Sequence, residues 1–252
     1  MKTITRELRA LHQAVTFFTR IPLPSLKHWT TGDLQRSSAY FPLVGCLVGL
    51  VAAATWWVAY PLFGPLLASG LSLAATLLLT GAFHEDGFAD VCDGFGGGYG
   101  RERVLEIMRD SRVGAFGAIG VFVLLGLKWQ AVAAVPPLMC PLVLVVAHAL
   151  SRATAISLLV TLPYVREESV KAKPLATRLS WPRFTVALVS GLAPLCLLPG
   201  RGWWVLAPLL VTRWVLARWF VQRIGGYTGD CLGATQQVAE VVAYLALIPL
   251  LS

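Results

Sequence analysis

Charge is scarce in this 252-residue sequence, and negative charge scarcest: 13 Asp and Glu stand against 21 Lys and Arg, and charged residues make up 13% of a chain that is 56% hydrophobic. That balance, with a mean hydropathy of +0.68, excludes an ordinary soluble domain. No hydrophilic stretch is long enough to build a nucleic-acid-binding domain, so the net charge of +8 does not argue for nucleic acid. No internal repeat is evident, and the only low-complexity run is Gly96-Gly97-Gly98. The five cysteines, Cys46, Cys92, Cys140, Cys196 and Cys231, contain no C-x-x-C pair and read as small apolar packing residues. The apolar run near the N-terminus is short and broken by Arg20, Pro22 and Pro24, so no cleavable signal peptide is expected. Residues 1–36 read instead as an interfacial segment, with Leu8, Leu11, Val15 and Phe18 on the membrane-facing side of a helix.

What the chain does have is a series of long apolar runs. Crossing about 30 Å of hydrocarbon takes roughly 20 apolar residues in a helix. Candidate spans fall near 41–60, 66–83, 114–135, 138–160, 184–199, 204–221 and 233–251. Pro136-Pro137 and the Pro199–Gly202 turn separate neighbouring spans. The expected fold is therefore all-α, a single polytopic membrane domain over 1–252 with about seven transmembrane helices.

Orientation follows from the cations. Lys2, Arg6, Arg9, Arg20, Lys27 and Arg36 precede the first span; Arg101, Arg103, Arg109 and Arg112 follow the second; Arg166, Lys171, Lys173, Arg178 and Arg183 follow the fourth; and Arg223 follows the sixth. Alternating spans put all of these on one side, which the positive-inside tendency makes the cytoplasm. The opposite turns offer Arg201 and Lys128. The cytoplasmic face of the membrane is therefore the expected side of the active site.

Against this scarcity, five residues capable of acid–base or metal chemistry crowd one short segment: His84, Glu85, Asp86, Asp90 and Asp93. A carboxylate in hydrocarbon costs several kcal/mol, so such crowding at a membrane edge marks a functional site. At about 100° per residue, Asp86, Asp90 and Asp93 fall within a sector of roughly 60° on one helical face. Like charges that close call for a cation, and hard oxygen ligands favour Mg²⁺, with Mn²⁺ as the alternative, over zinc. Metal and carboxylates at a water-facing edge suit phosphoryl transfer; a solvated acidic helix end is the bland alternative. His84 is either a ligand, a general base or a structural group. Gly94 and Gly96 to Gly98 are expected to end the helix and turn backbone N–H groups toward an anion, with Gly96 and Gly97 as binding positions. The catalytic region, 84–113, continues with Arg109 and Arg112 as phosphate clamps and Asp110 as a further ligand or an orienter of arginine. Arg152, four residues after His148, is an intramembrane arginine and hence a functional candidate. Asp230 is either a helix cap or a ligand, and Glu240 follows it in the last span. Arg213 and Arg218 read as snorkelling cations.

These residues resemble a known family. Phe18-Thr-Arg-Ile-Pro-Leu-Pro24, Phe41-Pro-Leu-Val-Gly45, Phe83-His-Glu-Asp-Gly87 with Ala89-Asp90 and Asp93-Gly94, the Leu105–Arg112 stretch, Ser151-Arg152, and Gly225-Gly-Tyr-Thr-Gly-Asp230 together are similar to cobalamin synthase, the adenosylcobinamide-GDP ribazoletransferase family, from residue 18 to about 240. The resemblance implies Mg²⁺-dependent transfer of the adenosylcobinamide phosphate group from adenosylcobinamide-GDP to α-ribazole or α-ribazole 5′-phosphate. GMP and adenosylcobalamin or its 5′-phosphate are the implied products, and contact with other late corrinoid enzymes is expected on the same ground. On this reading Asp86, Asp90 and Asp93 hold the metal, and Arg109, Arg112 and Arg152 hold the diphosphate. Glu85 or His84 activates the attacking hydroxyl, and Asp230 serves a second pocket. The Asp86-Gly87 and Ala89 core also looks like the start of the CDP-alcohol phosphotransferase signature. That signature is not completed, since its earlier carboxylate falls on Phe83 and its arginine on Asp90. A secondary transporter is the alternative of another class, disfavoured because the carboxylates crowd one face and no repeat is present.

Overall fold

A computed structural model describes residues 2–24, 35–165 and 179–251. Lys27, Arg166, Lys171, Lys173 and Arg178 lie outside the described residues. The described chain is helical, without strands; one isolated bridge joins Tyr164 to Tyr227. Its helices are α1 (Lys2–Phe18), α2 (Phe41–Thr80), α3 (Phe83–Gly97), α4 (Arg101–Ile107), α5 (Ala115–Ala134), α6 (Cys140–Ile156), α7 (Trp181–Leu192), α8 (Leu206–Ile224) and α9 (Gly229–Leu251).

Among the described residues five helices are long and apolar enough to cross a membrane: Gln35–Thr80, Ala115–Ala134, Cys140–Val160, Gly200–Ile224 and Gly229–Leu251. The difference from seven expected spans lies in two places. The first two expected spans are limbs of α2, which breaks at Gly64 (φ 71) between Pro61 and Pro65. The limbs fold back on each other, as Ser72 Oγ donates to the Ala52 carbonyl at 2.9 Å and Trp56 Nε1 to Ser69 Oγ at 3.3 Å. The expected fifth span is a shorter apolar segment, Trp181–Leu197.

Helix α6 is the centre of the bundle, packed against α2, α7 and α9. Its span is 78% buried against 28% for Ala115–Ala134, whose Phe116, Ile119 and Phe122 point outward, as lipid-facing residues should. The outer end of α1 is held by Glu7, which accepts hydrogen bonds from Arg183 (2.8 Å) and from Tyr40 (2.7 Å). The side of α1 that packs inward carries Ala10, Ala14 and Phe18, while Leu8 is exposed, so Phe18 departs from the face expected for it. The cysteines are free; Cys140 and Cys231 are buried as expected, whereas Cys196 is exposed.

Candidate functional site

Two successive left-handed residues, Gly81 (φ 67) and Ala82 (φ 56), turn the chain from α2 into the acidic helix α3. Only glycine adopts this conformation without cost, so the alanine stores strain at the entrance to the motif. Arg20 lies against Gly81, where a Cβ would collide with its guanidinium. Beyond the corner, Phe18 stacks on the His84 ring at 5.2 Å, and Phe83 meets Phe17 edge to face at 5.0 Å.

α3 then crosses the start of α9 at close range. A Cβ on Gly87 would sit 3.0 Å from Asp230 Cα, and one on Gly233 would sit 3.1 Å from the His84 carbonyl, so both positions need glycine for backbone approach. The crossing sorts the acidic motif into two faces. Asp86 is exposed and Asp90, one turn on, is half-buried, while His84 and Glu85 are buried. Asp230 is half-buried beside Gly87, its Oδ2 accepting from the Thr228 hydroxyl at 3.3 Å.

The expected trio of metal carboxylates does not form. Asp93 shares a face with Asp86 and Asp90, but its oxygens accept from the backbone N–H groups of Gly114 (2.7 Å) and Gly117 (2.8 Å) and so cap α5. Among the described residues no three His, Cys, Asp or Glu side chains gather as a metal site. That leaves Asp86 and Asp90 as the candidate pair, carboxylates at i and i+4 of which Asp86 is exposed and Asp90 half-buried. A pair of this kind fits Mg²⁺, which keeps several waters and is commonly held by one or two carboxylates together with substrate phosphates.

Several other expectations change with the geometry. The glycine run ends α3 as expected, with Gly98 as its cap, but Gly96 and Gly97 are themselves helical and Gly96 lies against the Phe116 ring, so the two do not form a loop. Arg223, counted in the sequence as a topology charge, closes that helix end by donating to the carbonyls of Phe95 (2.7 Å) and Gly98 (2.8 Å). Arg109 and Arg112 are exposed, and Arg112 grips Asp110 at 2.7 Å, so Asp110 acts as the arginine's orienter. Its hydrogen bonds hold the Asp110 carboxyl down at about 2. Cys92 packs on Gly120 and its thiol is pushed up to about 11 by burial, which fits packing rather than ligation. Burial, reinforced by the nearby Arg152, pushes the His84 imidazole well below its ordinary range, so it is neutral. Neither His84 nor Glu85 faces the open side as a base for a substrate there would.

Arg152 is buried as well, donating to the His148 carbonyl at 3.0 Å, apart from the exposed Arg109 and Arg112. It belongs to an internal network that sequence reasoning largely missed. Lys128, placed among the turn cations by the sequence, is 2% exposed inside the bundle and meets Glu240 at 2.9 Å. Glu240 also pairs with His148 (3.3 Å) and accepts from Gln236 (2.6 Å) and Tyr244 (3.2 Å). Gln236 also donates to Ser151 at 3.1 Å. One signal in the sequence pointed here: Gln236, Glu240 and Tyr244 recur at i+4 in an apolar span, which sets three polar groups on one face of a membrane helix.

The fold and site define an integral membrane protein of the all-helical class, with Asp86, Arg109 and Arg112 exposed and an ion network of Lys128, Glu240 and His148 buried inside the bundle. The chain belongs to the cobalamin-5-phosphate synthase family, whose model matches residues 10–248. It is 48% identical to a protein of Ralstonia pickettii (strain 12J) named adenosylcobinamide-GDP ribazoletransferase, over 100% of both chains. A protein of the same name from Shewanella amazonensis is 46% identical over 100% of this chain and 99% of its own. No solved structure matches the chain.

Proposed function

We propose that this chain is an adenosylcobinamide-GDP ribazoletransferase of a bacterial cytoplasmic membrane, with its open acidic face toward the cytoplasm. It transfers the adenosylcobinamide phosphate group to α-ribazole or its 5′-phosphate and releases GMP. The observation that carries this reading is the 48% identity, end to end, with a relative of that name. The relatives favour neither a phospholipid synthase nor a transporter.

Asp86 and Asp90 would hold Mg²⁺, or Mn²⁺ in its place, which when bound neutralises charge on the diphosphate oxygens. Arg109 and Arg112 bind the diphosphate from the loop before α5, with Asp110 fixing the Arg112 guanidinium in the plane that phosphate recognition needs. Asp230, at the start of α9 beside Gly87, borders the acceptor. His84, Glu85 and Arg152 act from inside the bundle by holding these elements in place. The orientation is supported by the helix ends: Asp93 to α5 and Arg223 to α3 gather the Arg101–Arg112 region and Arg223 at one end of the bundle.

The test is GMP release by the purified, detergent-solubilised protein given adenosylcobinamide-GDP and α-ribazole, with Mg²⁺ or EDTA. GMP is expected only with the metal, and Asp86→Asn and Asp90→Asn should each lower its release by on the order of a hundred-fold or more. No GMP from a folded sample sinks the reading.

A further inference from the structure

The buried network touches the acidic motif at one residue. Lys128 Nζ donates to Gln237 Oε1 at 3.0 Å; Gln237 Nε2 in turn donates to Glu85 Oε1 at 2.7 Å. The same Glu85 oxygen lies 3.8 Å from Lys128 Nζ, while Glu240 holds the ammonium from the other side at 2.9 Å. All four residues are buried, at 8% exposure or less, in a region where a charge without a partner is costly. The cluster is thus a latch across three helices, with Lys128 on α5, Gln237 and Glu240 on α9, and Glu85 on α3.

Glu85 precedes Asp86, and successive helical residues point about 100° apart. Drawing Glu85 into the bundle therefore sets where Asp86 and Asp90 point. Asp93, bonded to the head of α5, anchors the far end of α3, so the latch acts on the end that carries Glu85 and Asp86. We propose that Lys128 is a positioning residue: through Gln237 and Glu85 it fixes the rotation of α3 that presents Asp86 and Asp90 to the open side. This rests on the transferase reading of that face.

The experiment compares wild type with Lys128→Met by GMP release and by hydrogen–deuterium exchange in detergent. Gln237→Leu accompanies it, breaking the bridge while sparing the Lys128–Glu240 pair. A misplacement of the carboxylates on the scale of an ångström should cost on the order of a hundred-fold in GMP release. Exchange should rise about ten-fold in 83–97 and stay within about two-fold in α6. A rate within about two-fold of wild type in both variants overturns the proposal. So does a rate loss in which exchange rises equally in all helices, because that is general destabilisation. If Lys128→Met does not fold, Gln237→Leu decides by the same two readouts. Wild-type protein that releases no GMP counts against the transferase reading alone, and the exchange pattern then judges the latch by itself.

Discussion

Asp93 and Gly114 are joined by a 2.7 Å hydrogen bond in which the carboxylate receives a backbone N–H at the head of α5, and the second oxygen receives the Gly117 N–H at 2.8 Å. Asp93 is thereby a helix cap contributed by another helix. Replacing it with Ala leaves two amides without their acceptor and should cost about 2–4 kcal/mol of stability. Asp93→Asn, which keeps one carbonyl acceptor, should cost less. Thermal melts in detergent would show both losses, while the Mg²⁺ concentration for half-maximal activity in Asp93→Asn stays near wild type. A large rise in that concentration would return Asp93 to the metal.

The corner at Gly81 and Ala82 gives a pair of opposite effects. Ala82 has φ 56, so Ala82→Gly should stabilise by about 1 kcal/mol by removing the left-handed penalty. Gly81→Ala adds that penalty and a collision with Arg20, and should destabilise by more than about 1 kcal/mol. Denaturant or thermal midpoints of the two variants should move in opposite directions.

His84 supplies a pH dependence with a definite sign. Burial holds its folded value well below 6.5, so the unfolded chain takes up the proton first as pH falls. No stability is lost to this group above its unfolded value; below about 6.5 the loss grows until the folded value is reached. The midpoint temperature of wild type should therefore fall between pH 7 and pH 5. His84→Asn should start lower, having lost the stack on Phe18, and fall less over the same interval.

Arg112 should matter to substrate and little to the fold. Its bridge to Asp110 is exposed, and exposed pairs add little to stability. Arg112→Ala is expected to leave the melting temperature unchanged and to raise KM for adenosylcobinamide-GDP by about ten-fold or more, the worth of one charge-assisted phosphate contact. An unaltered KM would remove Arg112 from the phosphate site.

The helices were legible in the sequence because hydrocarbon demands long apolar runs, and the acidic segment stood out because carboxylates are costly there. The 3.6-residue period correctly put Asp86 and Asp90 on one face. It could not show that Asp93, on that same face, meets the head of α5, since this depends on which helix end lies alongside. Lys128 was misread for a related reason: a lone lysine in an apolar span looks like a turn charge until its partners, about 110 residues away in α9, are seen.

By itself, then, the sequence determined the helical membrane class, the location of the motif and the angles between residues within each helix, because these follow from hydropathy and local geometry. Only the tertiary structure decided which residues face one another. It turned His84 and Glu85 inward, diverted Asp93 to a cap and drew Lys128 to Glu240, because each of these contacts joins separate helices, and helical periodicity fixes directions along one element without saying what stands opposite.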